Sequence, residues 1–367
     1  MATPVFITVP REYDIFFENL TTSVDPLESS VSTLFSTSEV IFVIFSLSAI
    51  SFCGIVGNVL TALAVLISPQ LQTSTNVFVV SLSINDFLSC LTLPFQILTI
   101  VRGKVLLDWF CQILGAVLMS SIGTSALTLS MISINRWFVI TKGRHVFARV
   151  YNKKNISLMI VFVWSYSFFM CAGVSYFGPG RMGYSSWPHM CTYYDDGSIA
   201  DSYSTVMATT TLLPAFKVTS LFYVDILRYV RHHHRQLLSI TKDKSPQSAA
   251  VSGCRDGPVN TINQGDGSTA AERMRAQINK REIEFTKNLF IIFCAFFCCF
   301  IPSSVAFSLQ SGHRAVLFTG ILLLVNSCLN PFVYAFKHPQ YKRAFNAIIT
   351  CRVNHLQKAV KCTTKTI

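Results

Sequence analysis

Long apolar runs, rather than alternating apolar and polar positions, dominate this 367-residue chain. Crossing a bilayer takes about 20 residues at 1.5 Å each, and seven runs are long enough. They lie at residues 40–68, 76–101, 110–140, 156–178, 203–227, 288–309 and 315–336. In lipid each span must satisfy its own backbone hydrogen bonds, which such runs can do only as α-helices. The pattern therefore predicts an all-α fold, a seven-transmembrane helix bundle.

The stretch after the seventh span combines apolar and basic positions instead of forming a continuous apolar run. Tyr341 and Phe345 recur at helical spacing, with Lys342 and Arg343 between them. This pattern predicts a short amphipathic eighth helix that lies in the headgroup plane. Cys351 at its end is a candidate for palmitoylation, the attachment of a lipid chain to its thiol.

Composition and charge agree with a membrane protein and predict its orientation. Hydrophobic residues make up 51% of the chain and charged residues 13%, whereas soluble domains average about 25% charged residues. Residues 1–39 hold six acids and one base, while the loops at 141–155 and 228–287 and the tail hold most of the 30 Lys and Arg. By the positive-inside rule the N-terminus is extracellular, in a multi-pass protein of the plasma membrane. The net charge of +12 then reflects topology and attraction to membrane lipid, with no nucleic-acid partner.

One polar segment divides the fifth and sixth spans. Residues 239–270 are rich in Ser, Gly, Asn and Gln, which predicts a disordered third cytoplasmic loop. The basic sequences on either side have helical patterns that continue the two spans. The resulting domains are an extracellular tail at 1–39, a seven-transmembrane domain at 40–336, and an amphipathic helix with a short cytoplasmic tail at 337–367.

Two of the twelve cysteines face the oxidising side in this topology. Ten lie in spans, in the third loop or in the tail, which leaves Cys111 and Cys191 outside. A disulfide between them is the economical pairing, the alternative being two free extracellular thiols. Asn19 in "NLT" is a glycosylation acceptor if it is extracellular.

Asp86 is an ionisable residue at membrane depth, where such residues are usually functional. We expect it to face Ser125 on the third span and the amides of Asn326 and Asn330 on the seventh. A carboxylate with hydroxyl and amide oxygens suits a small hard ion, so these residues predict an allosteric Na⁺ site. The alternative is a hydrogen-bond network that only holds the helices together. No other cofactor or metal is expected.

Arg136 is the charged residue that most needs an explanation. It follows Cys111 by 25 residues, about 37 Å of helix, which places it at the cytoplasmic face. There its guanidinium could meet water or the carboxylate of Glu282 at the inner end of the sixth span. A breakable pair between Arg136 and Glu282 would form a latch between two spans. Snorkelling of Arg136 towards the headgroups is the alternative.

These residues stand in an order and spacing that resemble one family. The shared features are Asn58, Asp86, the Cys111 and Cys191 pair, "NRW" at 135–137, Trp164, Pro214, "CFIP" at 299–302 and "NPFVY" at 330–334. Together they resemble rhodopsin-like (class A) G-protein-coupled receptors over about residues 40–351. Asn135 followed by Arg136 and Trp137, with "HVFARVYNKKN" beyond, is similar to the melatonin receptors, the medium-chain fatty acid receptor and the insect moody and trapped-in-endoderm group.

The resemblance implies a receptor that is not an enzyme and that activates a heterotrimeric G protein when an extracellular ligand binds. Arrestin and receptor kinases are the further partners it implies. Asn135, Arg136, Trp137, Glu282 and Tyr334 would form the G-protein switch. The sodium pocket would use the Asp86 set, and the relay between ligand and switch would use Phe296, Phe300 and Pro302.

The chain departs from the family pattern at several positions. Asn135 replaces the usual Asp, so Arg136 lacks a neighbouring carboxylate, and we expect basal signalling above that of Asn135→Asp. Phe300 replaces the usual Trp. Phe222 stands eight residues after Pro214, where a Tyr is usual, so that Tyr is either displaced to Tyr223 or absent.

The ligand is indicated only by exclusion. Leu118 stands where amine receptors have an Asp, and Leu324 stands where opsins have a Schiff-base Lys. An apolar outer pocket with Arg102, Arg181, His189 and Arg314 at its rim suits a lipid, an indole-like amphiphile or an anionic head, though rim cations can be merely solvated. The rival functions are a non-signalling or constitutively active seven-helix protein with an adhesion or scavenger role and, less favoured, a transporter.

Lys217 in the fifth span fits no role that the resemblance supplies. It could be a buried partner for Asp225, which lies two turns away on the same face, or it could snorkel.

Overall fold

The computed structural model of the chain describes residues 36–103, 105, 107–142, 144–177, 181–185, 189–194, 206–243, 266–308 and 313–352. Within these ranges it describes every side chain except those of residues 144, 172, 174–177, 194, 208, 233–243, 266–282, 307–308 and 313.

Seven long helices, named spans one to seven, follow one another along the described chain. They are Thr37–Ile67, Ser74–Arg102, Asp108–Thr141, Lys153–Phe177, Leu213–Asp243, Asp266–Ser308 and His313–Lys337. Each contains a window long and apolar enough to cross a membrane. A short helix joins spans three and four, and a π-helical turn precedes span five: Arg144–Val150 and Ala208–Leu212. The predicted seven-helix fold is confirmed.

Span one begins where a capping box satisfies the free N–H groups of its first turn. The hydroxyl of Ser36 accepts from the backbone N–H of Glu39 (3.3 Å), and the Glu39 carboxylate accepts from the N–H of Ser36 (2.8 Å). Spans five and six extend beyond their membrane windows, to Asp243 and from Asp266. Most of the polar segment 239–270 lies outside the described residues.

Span three is the central helix, and a small β-hairpin covers its first turns. It contacts spans two, four, five and six and both strands, β1 (Arg181–Ser185) and β2 (Met190–Tyr194). The predicted Cys111–Cys191 disulfide is present and ties β2 to span three. A Cβ atom at Gly115 would lie 3.2 Å from the backbone nitrogen of Thr192, so this glycine allows the strand to lie directly on the helix. We name this the disulfide end of the bundle, and the opposite end the Arg136 end.

The terminal helix, Pro339–Ile349, lies at the Arg136 end. Tyr341 and Phe345 are buried in the main hydrophobic cluster of the bundle, whereas Lys342 and Arg343 are exposed. The predicted amphipathic eighth helix is therefore present, anchored by its apolar face. The helix contacts spans one and seven, and His338 directly before it contacts Phe285 of span six.

Candidate functional site

The first part of the site is a layer of polar side chains in the middle of the bundle. Asp86 is fully buried on span two. The hydroxyl of Ser125 donates to one carboxylate oxygen (3.3 Å), and the side-chain amide of Asn330 donates to the other (2.7 Å). The structure therefore brings together three of the four residues expected to form the sodium pocket.

Further polar side chains extend this layer. Asn85 donates to the hydroxyl of Ser125 (2.9 Å), and Asn58 donates to the backbone carbonyl of Ser327 (2.9 Å). Asn326 is buried on span seven, but among the described residues it makes no hydrogen bond with Asp86. Sequence reasoning missed Asn85, although its place beside Asp86 could have indicated it.

Two side-chain oxygens of this layer lack hydrogen-bond partners among the described residues and could therefore bind a cation. The side-chain oxygens of Asn58 and Asn330 are buried and have no hydrogen-bond partner among the described residues. A carboxylate, a hydroxyl and unused amide oxygens are the donor set that a hard cation prefers. Asp86, Ser125 and Asn330 therefore fit a Na⁺ ion. Among the described residues, no group of three or more His, Cys, Asp or Glu side chains is arranged to hold a metal.

The second part of the site is the Arg136 end. There the side chain of Asn135 contacts span two. Asn135 is fully buried, and its side-chain oxygen accepts a short hydrogen bond from the hydroxyl of Thr75 on span two. The residue that replaces the usual Asp thus fastens span three to span two.

Arg136 is buried beneath an aromatic ring. Only 3% of its surface is exposed, so the expectation that its head would reach water at the rim is wrong for this state of the bundle. The guanidinium carbon lies 4.6 Å from the centre of the Phe285 ring on span six, a cation–π distance. The ring of Phe285 can cover the cation because it is apolar yet presents negative charge density at its face. The side chain of Glu282, the expected partner, lies outside the described residues.

Phe285 also contacts the start of the terminal helix. Its ring centre lies 4.7 Å from that of His338, in an edge-on arrangement. Burial, with the charge of Arg136 as a second cause, lowers the pKa of His338 to about 4, so this imidazole is neutral near pH 7. One turn further along span six, the side chain of Asn288 donates to the backbone carbonyl of Lys337 (2.9 Å). Span six is thus held to the end of span seven at two levels.

We name the group formed by Phe285, His338 and Tyr341 around Arg136 the aromatic cage. Tyr341 packs edge-on against His338 (5.1 Å between ring centres) and stacks on Tyr334 (5.0 Å). Tyr334 is buried, and its hydroxyl has no hydrogen-bond partner among the described residues. Sequence reasoning identified Tyr334 but missed Phe285 and His338, which no motif distinguishes from ordinary core residues.

Phenylalanines connect spans five and six between the two layers. Phe216 on span five contacts four rings of span six, with ring centres 4.6–6.1 Å away: Phe293, Phe296, Phe297 and Phe300. Phe296 and Phe300 lie nearly parallel, 6.2 Å apart. Pro302 follows within the same helix. The three relay residues named from the sequence therefore lie on one stretch of span six, and Phe216 is the contact that the sequence did not reveal.

The tyrosine of span five is displaced rather than absent. Tyr223 is buried and stacks on Phe293 (5.9 Å), whereas Phe222 is only partly buried and packs against Trp137 (5.4 Å). Trp137 in turn lies under the ammonium of Lys142 (4.7 Å). Tyr223 therefore faces the bundle interior one position later than the family spacing implies.

At the disulfide end, two of the proposed ligand contacts are already engaged. The Nδ1 atom of His189 lies 2.7 Å from the hydroxyl of Tyr184, and burial lowers the pKa of His189. Leu118 is buried in a hydrophobic cluster that includes Leu93 of span two and Met190 of β2.

The three arginines expected at the rim, Arg102, Arg181 and Arg314, are all exposed. Arg314 also pairs with the carboxylate of Glu39 (3.1 Å). Gln96, which sequence reasoning missed, binds the backbone N–H and carbonyl of Cys191 with its own amide, both at 2.8 Å. The hairpin is thus fixed in place as a lid on span three.

The other residues named from the sequence do not belong to the polar layer, the Arg136 end or the disulfide end. Lys217 and Asp225 are both exposed on the outer face of span five, so Lys217 is not a buried partner of Asp225. Cys351 is exposed after the terminal helix, and Asn19 lies outside the described residues.

Comparisons with known proteins agree with this architecture. The sequence profile of the family "7 transmembrane receptor (rhodopsin family)" matches residues 57–334. The chain is 28% identical to G-protein coupled receptor moody of Drosophila melanogaster, over 91% of this chain and 54% of that protein. It is 25% identical to G-protein coupled receptor 84 of Mus musculus, over 82% of this chain and 90% of that protein. The chain spans about half the length of the moody proteins that it matches.

The fold also matches a solved structure. Squid rhodopsin superposes with a TM-score of 0.70 at 19% identity, over 89% of this chain and 92% of that chain. At this level of identity the likeness concerns the fold.

Proposed function

Because this chain belongs to the rhodopsin family of seven-transmembrane receptors, we propose that it converts the binding of an extracellular ligand into activation of a heterotrimeric G protein. The disulfide end then faces outside and the Arg136 end faces the cytoplasm. The acidic N-terminal segment and the basic loops support this orientation. Arrestin and receptor kinases are the further partners expected of such a receptor at the plasma membrane.

The observation that supports this function best is the position of Arg136 under Phe285. A G protein can reach the guanidinium only if the ring that covers it moves. The ring belongs to span six, so an outward movement of span six would uncover Arg136. Asn135, Trp137 and Tyr334 would line the opened cavity, and Glu282 would be a second contact that closes it.

The relay would run along span six through the phenylalanines. A ligand that shifts Phe300 would disturb its parallel contact with Phe296 and the contact of both rings with Phe216. Pro302 interrupts the backbone hydrogen bonds of the helix and gives it a place to bend. Asp86, Ser125 and Asn330 would hold Na⁺, which would supply positive charge beside the carboxylate and favour the closed packing of spans two, three and seven.

The ligand would be an apolar amphiphile, lipid-like or indole-like. Leu118, which stands where amine receptors have an Asp, is buried in a cluster of apolar side chains. Exposed Arg102 and Arg181 at the rim could meet an anionic head. His189 is a weaker contact for that role because its Nδ1 atom is already bonded to Tyr184. A glycan at Asn19 and a lipid chain on Cys351 complete the proposal.

The test is guanine-nucleotide exchange on purified G proteins from each family, with the receptor in lipid nanodiscs. The parent chain should accelerate exchange on at least one family, and Arg136→Ala should remove that acceleration, because a buried charge contact is worth roughly 2–5 kcal/mol. Arg352→Ala, an exposed arginine beyond the terminal helix, is the matched control and should behave as the parent. No acceleration on any G protein, with a lipid or peptide library added, would favour a non-signalling adhesion or scavenger role.

A further inference from the structure

Lys217 has no role in the switch described above, and its surroundings on span five are unusual for a charged residue. Its side chain is exposed on the outer face of the helix, which in a membrane faces hydrocarbon. Among the described residues it forms no ion pair and no hydrogen bond. Ionisable side chains within spans normally face the bundle interior or pair with another group, and they usually have a function. The exposed ammonium of Lys217 therefore needs its own explanation.

Contacts between spans three and five fix the depth of Lys217. The hydroxyl of Ser130 donates to the backbone carbonyl of Ala215 (3.0 Å) and lies 3.0 Å from the hydroxyl of Thr219. Lys217 stands midway between Ala215 and Thr219 in the same helix. Ser130 precedes Arg136 by six residues, which is about 9 Å of helix towards the membrane interior. Lys217 therefore lies within the hydrocarbon rather than at the rim of the bundle.

Snorkelling towards the headgroups does not account for this residue. Arg228, the next basic residue of span five, follows Lys217 by eleven residues, about 16 Å of helix, and half of a bilayer core is about 15 Å thick. In a helix the Cα–Cβ bond tilts towards the N-terminus. The side chain of Lys217 therefore leaves the backbone in the direction of the disulfide end, across the middle of the membrane. Basic residues that snorkel lie near helix ends, where the headgroups are close.

Asp225, the acid nearest in sequence, lies too far along the helix to neutralise Lys217. Eight residues separate the two, which is about 12 Å, whereas the charged atoms of an ion pair lie within about 4 Å of each other. Asp225 stands within one turn of Arg228 and so lies at the level where the basic residues of span five begin. The partner of Lys217 must therefore come from elsewhere.

The surface around Lys217 has the form of a helix-packing stripe. Its side chains stand at positions i, i+4, i+7, i+8 and i+11 and are all exposed: Leu213, Lys217, Ser220, Leu221 and Val224. We name this stripe the Lys217 face. Its apolar members are equally stable against lipid chains, so they alone give no reason for a partner. The small side chain of Ser220 allows a second helix to approach closely beside the cation.

A second copy of this chain offers no exposed carboxylate at the depth of Lys217. The seven membrane-crossing segments of the described chain contain five acids: Glu39, Asp86, Asp108, Asp225 and Glu284. Asp86 is buried, three of the others lie in the first turn of their segments, and Asp225 lies near the headgroups. Two copies that met through the Lys217 face would also bring two ammonium groups together, which is repulsive. The charge therefore favours a different protein as the partner.

We propose that the Lys217 face binds a transmembrane helix of another protein that carries an Asp or Glu near the middle of the membrane. The carboxylate pairs with the ammonium of Lys217, and the two helices pack through Ser220, Leu221 and Val224. Pairing removes the cost of an exposed cation in hydrocarbon. The need for an acid at one depth makes the contact selective, because a purely apolar helix gains nothing over lipid.

A designed transmembrane peptide tests this contact directly. The probe is a Leu/Ala helix of about 22 residues with one central Glu and an acceptor fluorophore, and the matched peptide has Gln in place of Glu. The full chain, with a donor fluorophore at its C-terminus, is placed with each peptide in phosphatidylcholine vesicles, and energy transfer measures binding. We expect the Glu peptide to bind roughly 5- to 30-fold more tightly than the Gln peptide. A peptide with Glu in its terminal turn should bind like the Gln peptide.

Substitutions assign the preference to Lys217 and to its face. Lys217→Met removes the charge and should abolish the preference for Glu, and Lys217→Glu should reverse it in favour of a peptide with a central Lys. Lys154→Met, which removes an exposed lysine at the start of span four, should keep the preference. Ser220→Phe should weaken binding of the Glu peptide by blocking close approach, whereas Ser165→Phe, at an exposed serine of span four, should not.

Equal binding of the Glu and Gln peptides overturns the proposal, as does a preference that survives in Lys217→Met. A preference that disappears when the vesicles contain phosphatidylserine also overturns it, because a lipid headgroup then neutralises Lys217. If Lys217→Glu does not fold, as judged by its thermal unfolding, Lys217→Met decides. The measurement uses no G protein, so its outcome is independent of the proposed receptor function.

Discussion

The polar layer around Asp86 and the aromatic cage around Arg136 both bury one charged side chain, but they do so by different means. Asp86 receives directional hydrogen bonds from Ser125 on span three and Asn330 on span seven. Arg136 lies beneath a ring of span six that itself rests on His338. Hydrogen bonds to a buried charge are worth about 1.5–3 kcal/mol each, whereas a cation–π contact is worth roughly 0.5–2 kcal/mol. The polar layer thus joins spans two, three and seven through hydrogen bonds, whereas the contact of Phe285 on span six with Arg136 is a ring contact of smaller energy.

We expect the largest effect, a loss of stability, from substitutions in the polar layer around Asp86. Asp86→Ala leaves the amide of Asn330 and the hydroxyl of Ser125 buried without their acceptor, so the free energy of unfolding should fall by about 2–5 kcal/mol. Thermal unfolding in nanodiscs measures this. Asp86→Asn keeps an acceptor and should lose less stability. The same experiment tests the ion: NaCl should stabilise the parent more than choline chloride does, and both variants should lose that difference.

A smaller effect, and one on activity instead of stability, is expected from the cage. Phe285→Ala removes the ring over Arg136 and its contact with His338, so basal nucleotide exchange should rise about 3- to 30-fold. Phe336→Ala removes the same side chain from a position on span seven that is 77% exposed, and it should leave basal exchange at the parent level. Equal exchange by the parent and Phe285→Ala at matched receptor amounts would show that the ring does not restrain span six.

Asn135→Asp adds the charge that this chain lacks beside Arg136. The new carboxylate should hold the guanidinium inward and lower basal exchange by about two- to tenfold, which corresponds to a net gain of around 1 kcal/mol after the cost of burying the new charge is subtracted. Asn135→Ala removes the bond with Thr75 without adding charge and should not lower exchange. If both variants behave alike, the effect comes from the lost contact with span two rather than from charge.

The smallest effect is expected from pH. His338 has a pKa of about 4 in the closed bundle, against about 6.5 when solvent-exposed. Because its folded pKa is lowered, the neutral form stabilises the cage; this contribution is complete above about pH 6.5 and is lost as the pH falls towards 4. The groups nearest this imidazole are Phe285, Tyr341 and the cation of Arg136.

Acidification from about pH 7.5 to about pH 6.0 should therefore shift the equilibrium towards the open bundle roughly fourfold. An environment-sensitive fluorophore on the exposed end of span six would follow this shift without a G protein. His338→Gln cannot titrate and should show no such shift. An identical pH response in parent and variant would assign it to another group.

The sequence predicted the polar layer much better than the cage, for a physical reason. A carboxylate within an apolar span is rare, so Asp86 could be recognised from the sequence alone. Phe285 is one of 30 phenylalanines in the chain, and nothing local distinguishes a ring that covers a cation from one that fills the core. His338 has the sequence position of an ordinary helix cap, and its contact with Phe285 depends on how spans six and seven meet.

The hairpin and span five show the same limit. Strands β1 and β2 lie on span three because of the disulfide, the amide of Gln96 and the open face of Gly115. These contacts join residues far apart in the chain, so periodicity could not reveal them. The inward position of Tyr223 likewise depends on the winding of span five, which follows a π-helical turn that no residue pattern predicts.

The most direct test of the central claim is the distance between the inner ends of spans three and six, measured by double electron–electron resonance. Spin labels are introduced at Lys142→Cys and Glu284→Cys, two exposed positions, in a chain in which Cys254, Cys298, Cys351 and Cys362 have been replaced by Ser. If Phe285 keeps span six over Arg136, the Phe285→Ala chain will populate a longer distance that is minor in the parent and in Phe336→Ala. Identical distance distributions in all three chains would contradict the account.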